Sequence, residues 1–438
     1  MAMFGSLKGV THERVKPYNL GRWLVWGGFA LLLLLAPLLF SSGLALTMLT
    51  QMGTVIIACL AFNVLLGQGG MLSFGHAVYS GLGAFLSVHT LNLIGAGTLS
   101  LPVSLVPLVG GLAGLFFAAL FGYVTTRKAG TPFAMITLGV GELVWSMSLM
   151  LPDFFGGEGG ISSNRVTGPA TLGITFGPQI QLYYLIAVYC FVCTALMFAL
   201  TRTPLGRILN AVRDNPERVE FVGYDTQRVR FLAFMISGFF MGISGGLTTL
   251  NFELVTVEVV SAARSGGLLL FTFLGGAGFF FGPIIGAVLL VLAFVLLSEL
   301  TQAWLLYLGL VFLFMVMFAP GGIASLVMMN LRVATFGKLR ALLPSYLALG
   351  VSAFTVLAGG GAIIEMTYQL QINAALGTKL RFMGAWLDAA ALNSWFGAAR
   401  VLAVGVGIFE LSRRAFVRAW SLVQEQIEHE IKKREAVA

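Results

Sequence analysis

The sequence predicts an all-α membrane protein that crosses the bilayer many times. Hydrophobic residues make up 58% of its 438 residues and charged residues only 10%, whereas a soluble domain carries about 25% charged residues. The stretch from Trp23 to Thr126 contains no Asp, Glu, Lys or Arg. Because a transmembrane helix needs about 20 apolar residues, this stretch has room for about four spans. A transmembrane β-barrel would instead show short segments of alternating hydrophobicity.

The N-terminal segment, residues 1–22, is basic and is predicted to be a cytoplasmic tail, because cytoplasmic flanks of spans are enriched in Lys and Arg. An apolar run at about 24–40 follows it. A cleaved signal peptide has a shorter apolar core and a cleavage site of small residues, so we interpret this run as an uncleaved first span. A second span is predicted at about 44–66.

Apolar runs predict the remaining spans in order. Span three is expected to end near Ile94, span four to cover about 101–126, and span five to start at Pro132. Span six is expected at about 181–201 and span seven at about 231–251. Residues 266–319 hold three short apolar pieces, interrupted at Gly275–Gly278, at Gly282 and Pro283, and between Glu299 and Gln302. These runs give a core of about ten spans within residues 23–331. Two further spans, at about 341–361 and 389–411, make up an additional C-terminal region, residues 332–411.

The positions of the basic residues assign the sides of the membrane. Of the 26 Lys and Arg residues, 21 fall in segments that this span pattern places in the cytoplasm, as the positive-inside rule requires. Both termini are therefore expected to be cytoplasmic, and the Gly- and Pro-rich segment 152–180 to be a long loop on the other side. Arg264 is placed in a short outer segment after span seven. The net charge of +8 is explained by topology, so no nucleic-acid partner is expected.

The C-terminal segment, residues 412–438, has the pattern of an amphipathic helix. Apolar residues recur at three- and four-residue steps among basic residues, at Phe416, Trp420, Val423, Ile427 and Ile431. Such a helix would bind the membrane surface or a partner. An ordinary solvated extension explains the same pattern, and the sequence leaves both alternatives open.

Sequence motifs for catalysis and nucleotide binding are missing. The chain contains no Gly-x4-Gly-Lys-Ser/Thr motif for ATP, no HExxH and no GxSxG. Cys190 and Cys193 lie three residues apart within an apolar run and have no neighbouring His or second Cys pair that would complete a metal site. We therefore expect a protein that is not an enzyme and that binds no metal or other cofactor.

A polar island at residues 202–230 interrupts the apolar pattern, with ten charged residues between two spans. Such a segment cannot lie in lipid, so it is predicted to be a cytoplasmic loop. Pro204 suits the first turn of a short helix that runs to about Val212. Residues 204–223 are called the knob below.

The second half of the knob is predicted to be another short helix. Asp214 or Asn215 would cap its N-terminus, with Pro216 in the first helical position and Glu217 near the positive end of the helix dipole. Gly223 would end the helix as a left-handed cap. Two capped helices predict a compact docking element; a merely solvated loop is the alternative.

Two features inside the predicted spans are unusual. Gly67, Gly69 and Gly70 lie close together, and each Gly weakens a helix by about 1 kcal/mol, which indicates a broken or closely packed helix. Glu142 and Arg400 place charges within spans, where a charge is costly and marks a candidate functional residue. For Glu142 the alternative is a structural carboxyl bonded by neighbouring hydroxyls; for Arg400 we expect snorkelling to the membrane surface.

A weak internal repeat relates Leu66–Gly70 to Leu274–Gly278, since both segments are rich in Gly. Transporters often contain such repeats, with Gly-interrupted segments at matching positions near the substrate path. Close packing of helices through Gly is the alternative explanation.

Several segments resemble a known family. Glu217–Gly223 resembles the EAA-x3-Gly loop of ABC importer permeases, with Arg218 and Val219 in place of the two alanines of the general pattern. The longer segment GRILNAVRDNPERVEFVGYD resembles that loop in branched-chain amino-acid importers of the LivM type. The resemblance extends in order to LLGQGGMLSFGHA at 65–77, TPFAMITLGVGELV at 131–144, GGEGG at 156–160, FLGGAGFFFGPIIGA at 273–287 and FAPGGIASL at 318–326.

The resemblance implies an ABC-importer permease core in a bacterial inner membrane. The chain would pair with a LivH-like second permease, with two ATP-binding subunits that hold ATP and Mg²⁺, and with a periplasmic substrate-binding protein. The implied coupling residues are Gly206, Arg207, Arg213, Asn215, Pro216, Glu217 and Gly223. The implied translocation-path residues are Gly67, Gly69, Gly70, Ser73, His76, Glu142, Gly275 and Gly278. Branched-chain or related amino acids are the expected substrates, and urea, short amides or other small organic acids are the alternative substrates. A secondary transporter is the alternative to an ABC importer.

Overall fold

The computed structural model describes residues 20–168, 175–319, 321–372 and 377–437. This part of the chain is almost entirely helical, with four short strands. In it, nine helices are long and apolar enough to cross a membrane, and a bent pair of helices makes a tenth candidate. Two shorter apolar helices, Trp23–Leu39 and Ala262–Gly275, accompany them. The predicted all-α polytopic class is confirmed, while residues 1–19 of the predicted tail lie outside the described part.

The helices before the knob, and the knob itself, follow the predicted order. They are α1 (Leu20–Leu39), α2 (Gly43–Asn63), α3 (Ala77–Gly95), α4 (Val106–Thr125), α5 (Thr131–Met150), the short α6 (Pro152–Phe155), α7 (Gln179–Arg202), α8 (Pro204–Asp214) and α9 (Pro216–Phe221). A π-helical turn, Val64–Gln68, continues α2. The side of the bundle that carries α8 and α9 is called the knob face below.

The helices after the knob are α10 (Thr226–Phe252), α11 (Ala262–Gly275), α12 (Gly282–Leu292), α13 (Ser298–Leu300), α14 (Trp304–Phe318), α15 (Gly322–Thr335), α16 (Leu339–Gln371) and α17 (Leu392–Val437). Strand β1 (Ile161–Ser162) pairs antiparallel with β2 (Leu254–Val255), and β3 (Lys379–Phe382) pairs with β4 (Ala385–Asp388). The three apolar pieces predicted within 266–319 correspond to α11, to α12 with α13, and to α14.

The centre of the bundle is built from α2, α3, α4 and α10, which pack closely through Gly. On α4, a Cβ at Gly114 would lie 2.2 Å from the carbonyl oxygen of Gly238, and one at Gly110 would lie 2.6 Å from that of Gly242. Both helices therefore present glycines four residues apart, which lets their backbones touch. A larger residue at any of these positions would push the two helices apart.

A polar network joins α7 and α10 on the face opposite the knob. The guanidinium of Arg165 donates hydrogen bonds to the carbonyl oxygens of Phe176, Gly177 and Leu250. Its backbone N–H donates to the carboxylate of Glu253 over 2.8 Å. Because these partners come from the loop before α7 and from the end of α10, one arginine fastens the loop across the ends of two helices.

The C-terminal helices α16 and α17 form an antiparallel hairpin. It is joined to the preceding helices by Glu365, whose carboxylate accepts hydrogen bonds from Thr301 and from the hydroxyl of Tyr307. Helix α17 continues without a break through the predicted boundary at residue 411. The apolar face of its last turns, which includes Val423 and Ile427, packs against residues of α15 and α16. That face is covered by the chain itself and is not free for a membrane surface.

One predicted position is wrong. Arg264, expected in an outer segment after span seven, is the third residue of α11. The segment before α11 turns back into the bundle, so a polar stretch that resembled a loop in the sequence lies between helices in the structure.

Candidate functional site

The knob consists of the two short helices that the sequence predicts. The side-chain oxygen of Thr203 caps α8 by accepting from the N–H of Gly206 over 3.3 Å. Asn215, one of the two predicted candidates, caps α9 by accepting from the N–H of Arg218 over 3.0 Å. Gly223 follows α9 with φ +96°, a left-handed backbone that L side chains avoid. The predicted caps at Asn215 and Gly223 are confirmed, and α8 ends at Asp214, two residues beyond its predicted end.

Gly206 makes the corner between α7 and α8 possible. A Cβ at this position would lie 2.2 Å from the carbonyl oxygen of Leu200. Only Gly fits such an approach of backbone to backbone. The first turn of the knob is therefore held directly against the last turn of the span.

Helix α8 packs its apolar face against the Gly-rich end of α2. Leu209 is buried, and one of its methyl carbons would lie 3.2 Å from a Cβ at Gly69. Arg213 donates from its guanidinium to the carbonyl oxygen of Gly67 over 2.5 Å. Its side-chain carbons fill the space where a Cβ of Gly70 would lie. The structure thus brings predicted coupling residues and predicted path residues into direct contact.

A second hydrogen bond joins the same elements. Asn210 donates from its amide to the side-chain oxygen of Gln68 over 3.0 Å. Neither residue was predicted as a site residue, because amide side chains on a polar loop and at a helix end give no sign that they meet. Two hydrogen bonds and an apolar contact therefore connect α8 with the end of α2.

The end of α2 is irregular in the way that its Gly content predicts. The helix widens into the π-helical turn Val64–Gln68 and stops at Gly70, which has φ +64°. A π turn lacks the regular hydrogen-bond ladder and often marks a functional site. The predicted break at 67–70 is confirmed.

The two Gly-rich segments of the weak internal repeat touch each other. A Cβ at Gly67 would lie 2.2 Å from the carbonyl oxygen of Ala277. In the second segment, a Cβ at Gly275 would lie 2.2 Å from the carbonyl oxygen of Gly282, and one at Gly276 would lie 2.6 Å from that of Gly321. A continuous series of contacts therefore runs from the side chains of α8 to the end of α2, and from there through backbone atoms to α12 and α15. Gly278 is outside this series, since a Cβ there would meet nothing within 4 Å.

Ser73 and His76 lie in the packed interior. The Nε2 atom of His76 is 2.7 Å from the hydroxyl oxygen of Ser237, which donates its hydrogen to the carbonyl oxygen of Ala61 over 2.5 Å. Since that hydroxyl hydrogen is used, His76 carries its own hydrogen on Nε2. Phe62, Tyr79 and Phe234 surround the imidazole ring. Both predicted path residues are fully buried in the chain.

Unlike Ser73 and His76, Glu142 is not buried in the interior and lies on the exposed face of α5. Among the residues described by the structure, no hydroxyl caps it and no cation pairs with it. The alternative of a bonded structural carboxyl is therefore not supported in this part of the chain. Glu142 is eleven residues from the start of a 20-residue helix, so the charge lies well within the span.

The outer surface of the knob is partly apolar. Phe221 is 91% exposed and Val222 is 72% exposed. Between α8 and α9 lies a groove of about 370 Å³ whose lining includes Ile208, Arg218 and Val219. Of the predicted coupling residues, Arg207, Asn215, Pro216 and Glu217 are exposed, and Asn215 also lines the groove. The knob thus has an inner face fixed to the helix bundle and an outer face with unburied apolar area.

The fold and this site define a polytopic membrane protein: a bundle of membrane-length helices with a capped helical loop on one face. Residues 44–320, more than half of the chain, match the family described as branched-chain amino acid transport system / permease component. The chain belongs to that family and is the permease component of an ABC-type transporter. The predicted LivM-type resemblance is confirmed.

Individual relatives agree with the family. The permease protein LivM of the high-affinity branched-chain amino acid transport system of Salmonella typhimurium is 28% identical over 317 residues, 68% of this chain and 73% of that protein. LivM of Escherichia coli is 28% identical over 304 residues, 63% of this chain and 69% of the relative. The fructose import permease protein FrcC of Rhizobium meliloti is 24% identical over 270 residues, which are 57% of this chain and 69% of that protein. These relatives are transport permeases rather than enzymes. No solved structure matches the chain.

Proposed function

We propose that the chain is a membrane subunit of an ATP-driven importer of branched-chain or related amino acids, and that the knob transmits the movement of ATPase subunits to the spans. The contact between Arg213 and the carbonyl oxygen of Gly67 carries this proposal. It joins the knob, which lies outside the spans, to the irregular π-helical turn at the end of α2. The relatives named LivM support the substrate class.

The mechanism follows from the difference in stiffness between the two sides of this contact. Helices α8 and α9 are short, capped at both N-termini and fixed at the corner formed by Gly206. In the receiving segments, backbone approaches backbone closely: Gly67 lies against the carbonyl oxygen of Ala277, and Gly275 against that of Gly282. A push on the knob would therefore shift the end of α2 against α12 and α15. In this way closure of the ATPases would favour one of two access states of the substrate path.

The partners occupy opposite sides of the bundle in this proposal. Two ATP-binding subunits, which hold ATP and Mg²⁺, lie on the cytoplasmic side, where one receives the exposed Phe221 and the groove between α8 and α9. The knob face and both termini are then cytoplasmic, in the bacterial inner membrane. A periplasmic binding protein delivers substrate to the opposite face. A LivH-like permease completes the pair; LivH of Methanocaldococcus jannaschii is itself 26% identical to this chain over 211 residues.

A substitution at Gly223 tests the coupling. Gly223→Val strains a backbone with φ +96° but meets no neighbouring atom, so the subunit should still assemble in the membrane. In proteoliposomes with the partner subunits, we expect ATP hydrolysis to lose its stimulation by the leucine-loaded binding protein. Gly377→Val is the matched control, because Gly377 has φ +99°, lies away from the knob, and meets none of the described residues within 4 Å of an added Cβ. Normal stimulation in the Gly223 variant would contradict the proposed role of the knob.

A further inference from the structure

Helix α11 begins inside the bundle rather than at its surface. After β2, a single helical turn at Val257–Val260 packs against α3, where a methyl carbon of Val260 would lie 2.3 Å from a Cβ at Gly81. The N–H of Ala77, the first residue of α3, donates to the hydroxyl of Ser265 over 3.0 Å. Two helices therefore start at the same depth, beside one another.

That depth can be measured along α10, the longest central helix. His76, the residue before α3, bonds to Ser237, which lies eleven residues after Thr226. At 1.5 Å per residue, this point is about 16 Å from the knob end of a helix about 40 Å long. The starts of α3 and α11 are thus near the middle of the bundle. Irregular backbone at such a depth is tolerated where it is buried in protein or lines a polar cavity.

Arg264 lies in the first turn of α11, at this depth. Its side chain is half-buried, and none of the described residues gives the guanidinium a carboxylate or a hydrogen-bond acceptor. The polar groups near it are uncharged: the hydroxyl of Ser261, which accepts a hydrogen bond from the backbone N–H of Arg264 over 3.2 Å, and the thiol of Cys59, which is buried in α2. A guanidinium always carries its charge, and a charge without a partner inside a span is a candidate functional group.

Glu142 lies at a matching level on α5, which contacts both α11 and the turn before it. The Cα of Gly75 is 3.3 Å from the position of a Cβ on Gly141, the neighbour of Glu142. A single residue, His76, separates Gly75 from Ala77, whose N–H donates to Ser265, the neighbour of Arg264. The two charges of opposite sign therefore lie on adjoining elements at one depth. They form no ion pair with each other or with any other residue in the described part of the chain.

We propose that Arg264 and Glu142 are the two poles of a binding site for a zwitterionic α-amino acid on the transport path. The guanidinium would bind the α-carboxylate, for which its planar pair of N–H groups is suited, and the positive end of the α11 dipole acts in the same direction. The carboxylate of Glu142 would bind the α-ammonium group. The side chain of the substrate makes neither contact, so this site selects for the amino-acid backbone. The inference rests on the proposed importer function and assigns the class of its substrate to particular residues.

The test is uptake of radiolabelled L-leucine by the complete importer in proteoliposomes. Wild type, Arg264→Gln, Glu142→Gln and the control Arg400→Gln, an exposed arginine of α17, are compared at equal protein content. We expect the first two variants to lose uptake by about tenfold or more, since each removes a charge-assisted hydrogen bond to the substrate. Stimulation of ATP hydrolysis by the leucine-loaded binding protein should remain, because neither residue touches the knob. The control should transport normally.

The outcomes separate this inference from the proposed function. If wild type takes up leucine and Arg264→Gln and Glu142→Gln take it up equally well, the proposed site is wrong, while the proposed importer function is retained. A wild type that neither imports leucine nor responds to the binding protein would overturn the importer itself. If Arg264→Gln does not fold, Arg264→Lys keeps the charge but not the planar pair of donors. The proposed site predicts a higher KM for leucine in Arg264→Lys than in wild type. An unchanged KM would contradict the site.

Discussion

The guanidinium of Arg213 donates a hydrogen bond to the carbonyl oxygen of Gly67, a residue 146 positions earlier in the chain. One partner belongs to the knob, and the other to the π-helical turn that ends α2. A backbone carbonyl in a π turn is free to accept such a bond because the regular helix pattern is interrupted there. The bond therefore fixes the knob at the point where the span is least regular.

Removing this bond should separate the knob from the span. Arg213→Gln loses a hydrogen bond from a charged donor, which contributes about 1.5–3 kcal/mol. We expect a lower thermal midpoint in detergent and a loss of ATPase stimulation by the binding protein. Arg202→Gln is the control, since Arg202 lies over the ring of Phe198 and outside this contact. Equal stimulation in the two variants would show that the bond does not transmit movement.

The contact between the two Gly-rich segments should tolerate no added carbon. Gly67→Ala would place a Cβ 2.2 Å from the carbonyl oxygen of Ala277, and overpacking of this kind costs about 1–3 kcal/mol. Gly278→Ala meets only open space. The thermal midpoint of the purified protein should therefore fall in the first variant and stay near wild type in the second. A similar midpoint for both would mean that the segments move apart at little cost.

The buried bond between His76 and Ser237 should be needed for stability. Ser237→Ala leaves the Nε2–H of His76 without an acceptor, and an unsatisfied buried donor costs about 1–3 kcal/mol. Ser73→Ala removes a hydroxyl that is equally buried and has no partner among the described residues, so it should be neutral or slightly stabilising. Thermal unfolding in detergent distinguishes the two. Destabilisation by Ser73→Ala of the same size would indicate an ordered water at that hydroxyl.

The carboxylate of Glu365 should couple energetically to Thr301. The two side chains share a hydrogen bond that joins α16 to the segment before α14. Glu365→Leu and Thr301→Val should each lower the thermal midpoint, and the double variant should lose less than the sum of the two, because the same bond is lost in both. Strict additivity would show that the hydrogen bond between Glu365 and Thr301 contributes no coupling energy.

Local signals explain why much of the knob could be predicted. Pro204, Asn215 and Gly223 act through their own backbone and side-chain chemistry, so the two helices and their caps follow from neighbouring residues. The spans follow from long apolar runs in the same way. The break at Gly67–Gly70 was also predictable, since Gly weakens a helix wherever it lies.

Contacts between distant residues explain what could not be predicted. Arg264 was placed outside the spans because a segment that turns back into the bundle has the same polar composition as a surface loop. His76 was expected on the path, yet a single polar residue in an apolar run does not reveal whether it faces a cavity or a neighbouring helix. The repeat did not indicate that Gly67 would touch Ala277, because segments made mostly of Gly carry no side chains that would show which way they pack.

Helix α17 runs for 46 residues without interruption, a length of about 69 Å at 1.5 Å per residue. A bilayer core of about 30 Å accounts for less than half of it. The remainder packs against α15 and α16 through Val423 and Ile427, so it would move together with the hairpin, and a tilt of the helix by about 5° would displace its far end by about 6 Å. A spin label at the exposed Lys432 would therefore magnify angular changes of the hairpin that are too small to measure within the spans.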